Sequence, residues 1–553
     1  MLPLNTCRCI RTLALVAATV VGLRAAAAPI AAPESLPERR TIAPGPFAPT
    51  WESLVANYRC PEWFRDAKLG IWAHWGPQCV PGEGDWYARS MYLQGHKQYD
   101  AHLAAFGHPS EFGFMEIDHR WRAEHWNPDE LMQLYVEAGA RYFVAMATHE
   151  DNFDAFASRY HAWNSVNVGP QRDIIGEWAK AARAHGLRFG VSNHASHAWH
   201  WFQTAYGYDA GGPKAGVRYD AARLKKEDGK GMWWDGLDPQ DLYGRPQPGM
   251  VIPDGIRSVK DLRTWHDAHN LPWTEEPPPN DPQFVNNWFF RIQDLVDKYR
   301  PDFLYLDNTE LPLGQAGLDI AAHFYNANIA RNGGKLDAVL TAKGLRAERR
   351  PAVVQDFERS IGQGGVQELP FETDTCIGQW HYKQDIDYKT VTQVVRNFVD
   401  VVSKNGTFLL SIPIRGDGTI DDRERAFLKG LAAWNQVNGE AIFGSRSWKV
   451  YGEGPTQIPP GRGSDGPLPF TSEDIRFTAN RGALYAFVLR LPETAVRVKS
   501  LGTSAPYGAK IAKISLVGSN ETMAWRQEAD ALVIEKPARF PCADVIAFKI
   551  TLQ

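Results

Sequence analysis

The 553-residue chain has little net charge, few cysteines and no internal repeat. Its formal net charge of −4 gives no basic footprint of the kind that nucleic acids or anionic membranes attract. Its six cysteines lack Cys-x-x-Cys spacing, so the pattern predicts neither a zinc site nor a disulfide framework. What remains is a globular chain with 44% apolar residues, long enough for a large domain and a smaller one.

The N-terminal segment has the layout of a secretory signal peptide. Two arginines precede an apolar stretch over residues 13–23, and the alanines of residues 25–28 offer small-residue cleavage sites. The apolar stretch is too short to span a bilayer comfortably, so we expect no membrane anchor. The prediction is a secreted or periplasmic protein that loses residues 1–28 and continues with a Pro/Ala-rich linker over residues 29–50.

Helical segments alternate with short apolar runs from residue 51 onwards. The segment from Asp173 to His185 stops at Gly186 before such a run, and the helix predicted from Asn287 to Arg300 ends before a proline and another run. Apolar runs of this length are typical of strands buried on both faces. About eight strand candidates predict a closed (β/α)8 barrel over residues 51–437.

Two parts of the chain break this alternation. Residues 195–286 are rich in Gly, Pro, Asp and Trp and predict a long insertion over the mouth of the barrel. It is either a lid or subsite wall, or an insertion with a small subdomain of its own. Beyond about residue 438, short β-like runs such as residues 483–489 and 513–517 alternate with turn residues. This predicts a C-terminal all-β sandwich over residues 438–553.

Five of the strand-like runs end on ionisable side chains. These residues are His74, His149 with Glu150, His194, Asp307 and Glu358. An α/β barrel keeps its chemistry at the carboxyl ends of its strands, so the pattern predicts an enzyme. Two carboxyls facing one pocket, here Asp307 and Glu358, are what glycoside hydrolysis requires. On spacing alone, a helix cap or a structural network explains a strand-end aspartate equally well.

Four motifs follow one another along the chain. They read WFRDAKLGIWAHWG from Trp63 with DWYARSMY from Asp85, then THEDNFD from Thr148, PDFLYLD from Pro301, and FET with GQW from Phe371. Together they resemble glycoside hydrolase family 29, the α-L-fucosidases, in order over nearly the whole chain after residue 51. The resemblance implies a (β/α)8 barrel with a C-terminal β-sandwich and a retaining mechanism.

The resemblance also implies roles for individual residues. Asp307 falls on the nucleophile of the family, and His74, Trp86 and His149 fall on positions that bind the fucose ring and its hydroxyls. Glu358 is the expected acid/base, because it lies at a strand tip before the FET motif. Since that segment varies within the family, the alternatives are Glu368 and Glu372. The remaining expected substrate-binding residues are Asp85, Glu150, His194, Glu372 and Trp380.

Two residues depart from the family pattern. Asp85 stands where the family usually has Glu, and Glu150 stands where it usually has His. A carboxylate accepts hydrogen bonds from sugar hydroxyls but cannot donate one as an imidazole can. Glu150 close to Asp307 would also disfavour an ionised nucleophile. The alternative is that Glu150 points away from the site and is structural.

The expected function is that of a secreted, exo-acting, retaining glycosidase that removes terminal α-L-fucose from glycans or small fucosides. Two alternatives remain: a glycosidase for a related sugar such as α-L-galactoside, and a catalytically weak carbohydrate-binding protein. Twenty tryptophans suit a sugar-binding cleft, although packing explains many of them. We expect no cofactor and no metal, because His194, His197 and His200 lack an accompanying acidic helical motif. No nucleic-acid partner is expected.

Overall fold

Eight parallel strands form a closed barrel in the order β1 to β8. The computed structural model describes residue 30 and residues 32–272, 274, 276–277 and 281–553, so the predicted signal segment lies outside the described residues. The strands are β1 (Leu69–Ala73), β2 (Tyr142–Thr148), β3 (Arg188–Asn193), β4 (Phe303–Thr309), β5 (Val339–Lys343), β6 (Val354–Asp356), β7 (Phe371–Cys376) and β8 (Gly406–Ser411). The barrel closes because β1 pairs with β2 on one side and with β8 on the other.

Fifteen α-helices occupy the connections between the barrel strands and the segments before and after them within the described residues. In chain order they are α1 (Trp51–Asn57), α2 (Glu62–Ala67), α3 (Tyr87–Ser90), α4 (Lys97–Ala105), α5 (Phe114–Arg120), α6 (Pro128–Glu137), α7 (Ile174–Ala184), then α8 to α11 in the insertion, α12 (Pro282–Tyr299), α13 (Gln315–Arg331), α14 (Val391–Ser403) and α15 (Asp422–Ile442). Their ends follow local rules: Asn127 caps α6 ahead of Pro128, and Gly139 takes a positive φ after it. Helix α12 begins earlier than the predicted Asn287, since Asp281 caps it.

Buried carboxyls and tyrosines share the barrel interior. The Tyr142 hydroxyl donates to Glu372 at 2.8 Å, and the Tyr305 hydroxyl lies 2.8 Å from Asp374 and 3.1 Å from Asp356. Burial raises the pKa of all three carboxyls, that of Asp374 to about 7. A hydroxyl has one proton to give, so at least one of the two aspartates at Tyr305 carries a proton of its own.

The insertion over residues 195–286 consists of short helices that pack mainly on the core of the barrel, through Trp201, Phe202 and Tyr243 among others. It also holds one small, separate apolar cluster. The helices are α8 (Ala198–Trp201), α9 (Asp220–Arg223), α10 (Pro239–Tyr243) and α11 (Val259–His269). Tyr208, Ala210, Ile252 and Leu262 form the cluster. The insertion is thus joined to the main core, and its role as a lid or subsite wall stays a prediction.

The C-terminal part consists of two antiparallel sheets with a separate apolar core. Its strands are β9 (Arg446–Glu453), β10 (Ile475–Asn480), β11 (Ala483–Val488), β12 (Val496–Val498), β13 (Ile511–Leu516), β14 (Trp525–Gln527), β15 (Leu532–Ile534) and β16 (Ile546–Leu552). A buried ion pair between Arg476 of β10 and Asp400 of α14 joins them to the barrel at 2.5 Å. Together the barrel and the sheets confirm the predicted fold class, and α15 runs across the predicted boundary at residue 437.

Two further features bear on the sequence analysis. Four cysteines of the described residues are free thiols: Cys60, Cys79, Cys376 and Cys542. Within the described residues, no helix combines the length and the apolar character needed to cross a membrane.

Candidate active site

A pocket of about 320 Å³ lies at the carboxyl ends of the barrel strands. It is lined by Trp72, His74, Trp86, His149, Glu150, His194, Tyr305, Asp307, Asn308, Thr309, Lys343, Glu358, Asp374, Trp380 and Arg462. All the ionisable strand-tip residues of the sequence analysis therefore face one cavity. A more open groove of about 690 Å³ is lined by Arg120, Asp421 and Arg423 among others and contains none of these residues.

Asp307 is held at both carboxylate oxygens. His194 Nδ1 lies 2.8 Å from Oδ2, and Lys343 Nζ lies 2.5 Å from Oδ1. Burial by itself raises the pKa of Asp307, but Lys343 and His194 outweigh it and hold the pKa well below its usual range. Asp307 is therefore a carboxylate at any pH near neutrality, which is the state in which it can act as a nucleophile.

Lys343 joins Asp307 to the second carboxylate of the pocket. Its Nζ also lies 2.8 Å from Glu358 Oε2, so the oxygens of Asp307 and Glu358 that share this ammonium are at most 5.3 Å apart. Burial lowers the pKa of Lys343, but the two carboxylates outweigh this effect and hold it well above its usual value. On its other side Glu358 accepts a hydrogen bond at Oε1 from Arg462.

Three histidine rings form one wall of the pocket. The ring centres of His149 and His194 are 4.8 Å apart, and those of His74 and His194 are 5.7 Å apart. Burial lowers the pKa of both His74 and His149 well below its usual value, so both rings are neutral. Gln78 Nε2 lies 3.0 Å from His149 Nδ1; when it donates there, His149 keeps its proton on Nε2.

Aromatic side chains provide the apolar surface of the pocket. The ring centres of Trp72 and Tyr305 are 4.5 Å apart, and Trp380 lies 4.9 Å from the His74 ring. Trp86 is half exposed at the rim and lies edge-on to Trp201 of the insertion. Such faces pack against the C–H surface of a sugar ring. The remaining tryptophans mostly serve packing: Trp233, for example, stacks on His119 at 4.1 Å, away from the pocket.

Glu150 lies in the pocket wall and is only 3% exposed. Burial raises its pKa well above the usual value, and the charge of Asp307 raises it further. Its Oε2 has no hydrogen-bond partner among the described residues. The expected repulsion between Glu150 and Asp307 therefore acts on Glu150, which is neutral, and leaves Asp307 ionised.

Three of the predicted residues do not line the pocket. Asp85 accepts hydrogen bonds from the backbone N–H groups of Trp380 (3.2 Å) and His381 (2.7 Å), and so orients the segment that carries Trp380. Glu372 lies deeper in the barrel, where it binds Tyr142. Glu368 is exposed in the connection between β6 and β7. Of the three candidate acid/base glutamates, the structure brings only Glu358 next to Asp307.

Several pocket residues were not predicted. Lys343 is the last residue of β5, so the rule that chemistry lies at strand tips would have found it. Tyr305 and Asp374 occupy inward-facing positions of β4 and β7, and Arg462 comes from a loop of the C-terminal part. No sequence signal marks Arg462. In the part of the chain that the structure describes, no cluster of His, Cys, Asp and Glu has a geometry suited to a metal ion.

Comparison with known proteins gives consistent matches over almost the whole chain. A family model described as alpha-L-fucosidase matches residues 35–440, and one described as alpha-L-fucosidase C-terminal domain matches residues 469–551. The chain is 25% identical to the tissue alpha-L-fucosidase of Homo sapiens over 93% of each protein, and 24% identical to the plasma alpha-L-fucosidase of Homo sapiens over 73% of each. The crystal structure of Thermotoga maritima alpha-fucosidase with a mechanism-based inhibitor superposes with a TM-score of 0.66 at 24% identity, covering 91% of this chain and 100% of that one.

Proposed function

Because the chain belongs to the α-L-fucosidase family of glycoside hydrolases, we propose that it removes terminal α-L-fucose by a retaining double displacement. The family match confirms the resemblance of the sequence motifs. The observation that carries the proposed mechanism is the pair of carboxylates, Asp307 and Glu358, bridged by one ammonium. One oxygen of each carboxylate contacts the same Nζ, so the two groups lie close together, which supports a retaining mechanism because inverting enzymes need a wider gap for a water molecule.

In the first step Asp307 attacks the anomeric carbon of the fucose ring. The bond from this carbon to the leaving-group oxygen breaks, and Glu358, which must be in its protonated form for this step, transfers that proton to the oxygen. The product is a covalent glycosyl-enzyme. Lys343 and His194 favour the ionised form of Asp307 before the attack, and they stabilise it again when the carboxylate departs in the second step.

In the second step Glu358 acts as a base. It takes a proton from water, the resulting hydroxide bonds to the anomeric carbon, and the bond to Asp307 breaks. The released sugar has the configuration of the substrate. Neutral His149 offers an N–H group to a sugar hydroxyl, and Trp72 and Trp380 supply faces for the ring.

The size of the pocket supports an exo-acting enzyme. Its volume of about 320 Å³ lies at the small end of ligand pockets, roughly 300–1,000 Å³, which suits one terminal sugar. We propose fucosylated glycans or small fucosides as substrates. We also propose export, because the N-terminal segment has the layout of a signal peptide. Cell fractionation with N-terminal sequencing of the exported protein tests this proposal.

The decisive experiment is hydrolysis of an aryl α-L-fucoside by the wild type, Asp307→Gly and Asp307→Asn. We expect both variants to lose turnover, and azide to restore turnover of an activated fucoside by Asp307→Gly, with formation of a fucosyl azide of inverted configuration. Asp302→Asn, at the opposite end of β4, is the matched control and retains activity. Nuclear magnetic resonance of the first-formed sugar gives the stereochemistry.

Three results would contradict the proposal. A wild type inactive on a panel of aryl glycosides would exclude the activity, and unchanged turnover in Asp307→Gly would exclude this nucleophile. An inverted first product would exclude the double displacement.

A further inference from the structure

The C-terminal part of the chain contributes one charged side chain to the pocket. The loop between β9 and β10 reaches the barrel, and Arg462 on this loop donates to Glu358 Oε1 and lines the pocket. The pocket is thus incomplete without a residue from outside the barrel. Nothing in the proposed displacement mechanism explains this contact.

The backbone beside Arg462 is firmly held. The Gly463 N–H donates to the Arg359 carbonyl at 2.7 Å, and the Ile361 N–H donates to the Ser464 hydroxyl at 2.9 Å. Asp465 is buried and accepts from Lys389 and from the hydroxyl of Thr375, on β7. These contacts fix the loop against the strand ends, so the position of the Arg462 backbone does not depend on its contact with Glu358.

The Arg462 side chain, in contrast, is accessible to solvent. It is 67% exposed, whereas that of Lys343, the other cation at Glu358, is 22% exposed and also binds Asp307. An exposed side chain changes rotamer within nanoseconds, far faster than an enzyme turns over. Of the two cations that bind Glu358, Arg462 is therefore the one that leaves easily.

Both oxygens of Glu358 contact cations, Oε2 the ammonium of Lys343 and Oε1 the guanidinium of Arg462. We propose that Arg462 is a positioning residue that holds Glu358 at Oε1 in the free enzyme and yields this oxygen to the leaving-group oxygen when substrate binds. The inference rests on the proposed acid/base role of Glu358. It adds that the C-terminal part of the chain, through Arg462, helps to position the group that protonates the leaving-group oxygen.

The test compares Arg462→Met and Arg462→Lys with the wild type on aryl α-L-fucosides that differ in leaving-group ability, each at its own pH optimum. A poor leaving group needs a well-placed acid, so we expect Arg462→Met to lower kcat/KM about 10-fold for poor leaving groups and less than about 2-fold for good ones. Arg462→Lys keeps a cation and recovers most of the loss. Arg497→Met, which removes an exposed C-terminal arginine paired with Glu528, is the matched control and changes neither value.

A second arm places Arg462→Met in a Glu358→Ala background. If Arg462 acts through Glu358, its effect on poor leaving groups disappears there. An effect that survives, with KM raised for every substrate, would assign Arg462 to direct leaving-group contact and overturn the proposal. Unchanged kinetics in Arg462→Met would overturn it as well.

The proposed function is tested separately by Glu358→Ala alone. If this variant loses about 10²-fold or more on poor leaving groups while Arg462→Met does not, only the further inference fails. If Glu358→Ala harms good and poor leaving groups equally, the acid role fails and the inference fails with it. Thermal unfolding of each variant checks that it is folded.

Discussion

Replacing Lys343 by Met tests the electrostatics of the site most directly. The ammonium lies 2.5 Å from Asp307 and 2.8 Å from Glu358, and all three side chains are less than a quarter exposed. Removing one partner of a buried ionic network costs about 3–5 kcal/mol. If about 3 kcal/mol of this cost is lost stabilisation of the transition state, kcat/KM falls about 10²-fold.

The same substitution has a signature in the pH profile. In the wild type, Lys343 and His194 outweigh burial and hold the pKa of Asp307 low, so the nucleophile stays ionised as the pH falls. Without the ammonium, burial has the larger effect and the pKa of Asp307 rises. We therefore expect the acidic limb of the kcat/KM profile of Lys343→Met to move to higher pH, with the greatest loss of activity at low pH.

The assay is the pH dependence of kcat/KM on an activated aryl α-L-fucoside, with Lys343→Arg as the conservative variant and Lys383→Met as the matched control. Lys383 forms a similar ion pair with Glu83 at 3.3 Å, outside the pocket, so its loss leaves the profile unchanged. An acidic limb that does not move in Lys343→Met would refute the electrostatic reasoning. A loss of equal size at every pH would show that Lys343 acts only through structure.

Two further predictions concern buried carboxyls that keep a proton. Glu150 is neutral because burial and then the charge of Asp307 raise its pKa. We therefore expect Glu150→Gln to retain kcat/KM within about 3-fold, and Glu150→Ala to lose about 1–3 kcal/mol of transition-state stabilisation. A large loss in Glu150→Gln would mean that the group works as an anion. The pKa of Asp374 is raised to about 7, so the folded protein keeps a proton that the unfolded chain releases between pH ~4 and ~7. The free energy of unfolding therefore falls as pH rises through this window, by up to about 1.4 kcal/mol per pH unit. Urea unfolding at several pH values is expected to show a shallower fall in Asp374→Asn than in the wild type. An equal fall in both proteins would contradict the raised pKa of Asp374.

Most of the barrel was predictable because its strands are short apolar runs that end on polar residues. The exception is β7, which reads FETDTC. Its polar side chains are buried against partners that lie far away in the sequence, as Glu372 is against Tyr142 of β2 and Asp374 against Tyr305 of β4. Partners that lie so far away in sequence leave no local signal, so a one-dimensional pattern cannot identify such a strand.

The site was predictable to the extent that strand tips define it. Five residues of the site follow apolar runs in the sequence, and the barrel brings them together: His74, His149, His194, Asp307 and Glu358. The motif predicted that Asp85 lies near the site, but it could not show where the side chain points. In the structure its carboxylate binds the backbone N–H groups of Trp380 and His381. Arg462 lies beyond any periodic pattern, because its place depends on how the sheets pack against the barrel.

The contact between Glu358 and Arg462 joins residues that are 104 positions apart in the chain. During synthesis the N-terminal part of a protein emerges first, at about 5–20 residues per second. All eight barrel strands have therefore left the ribosome several seconds before Arg462 does. The nascent barrel carries Asp307 and Glu358 with Lys343 as their nearest cation, and the full charge complement of the pocket arises only when the C-terminal part has folded. Among the side chains that line the pocket, Arg462 is therefore the last to leave the ribosome.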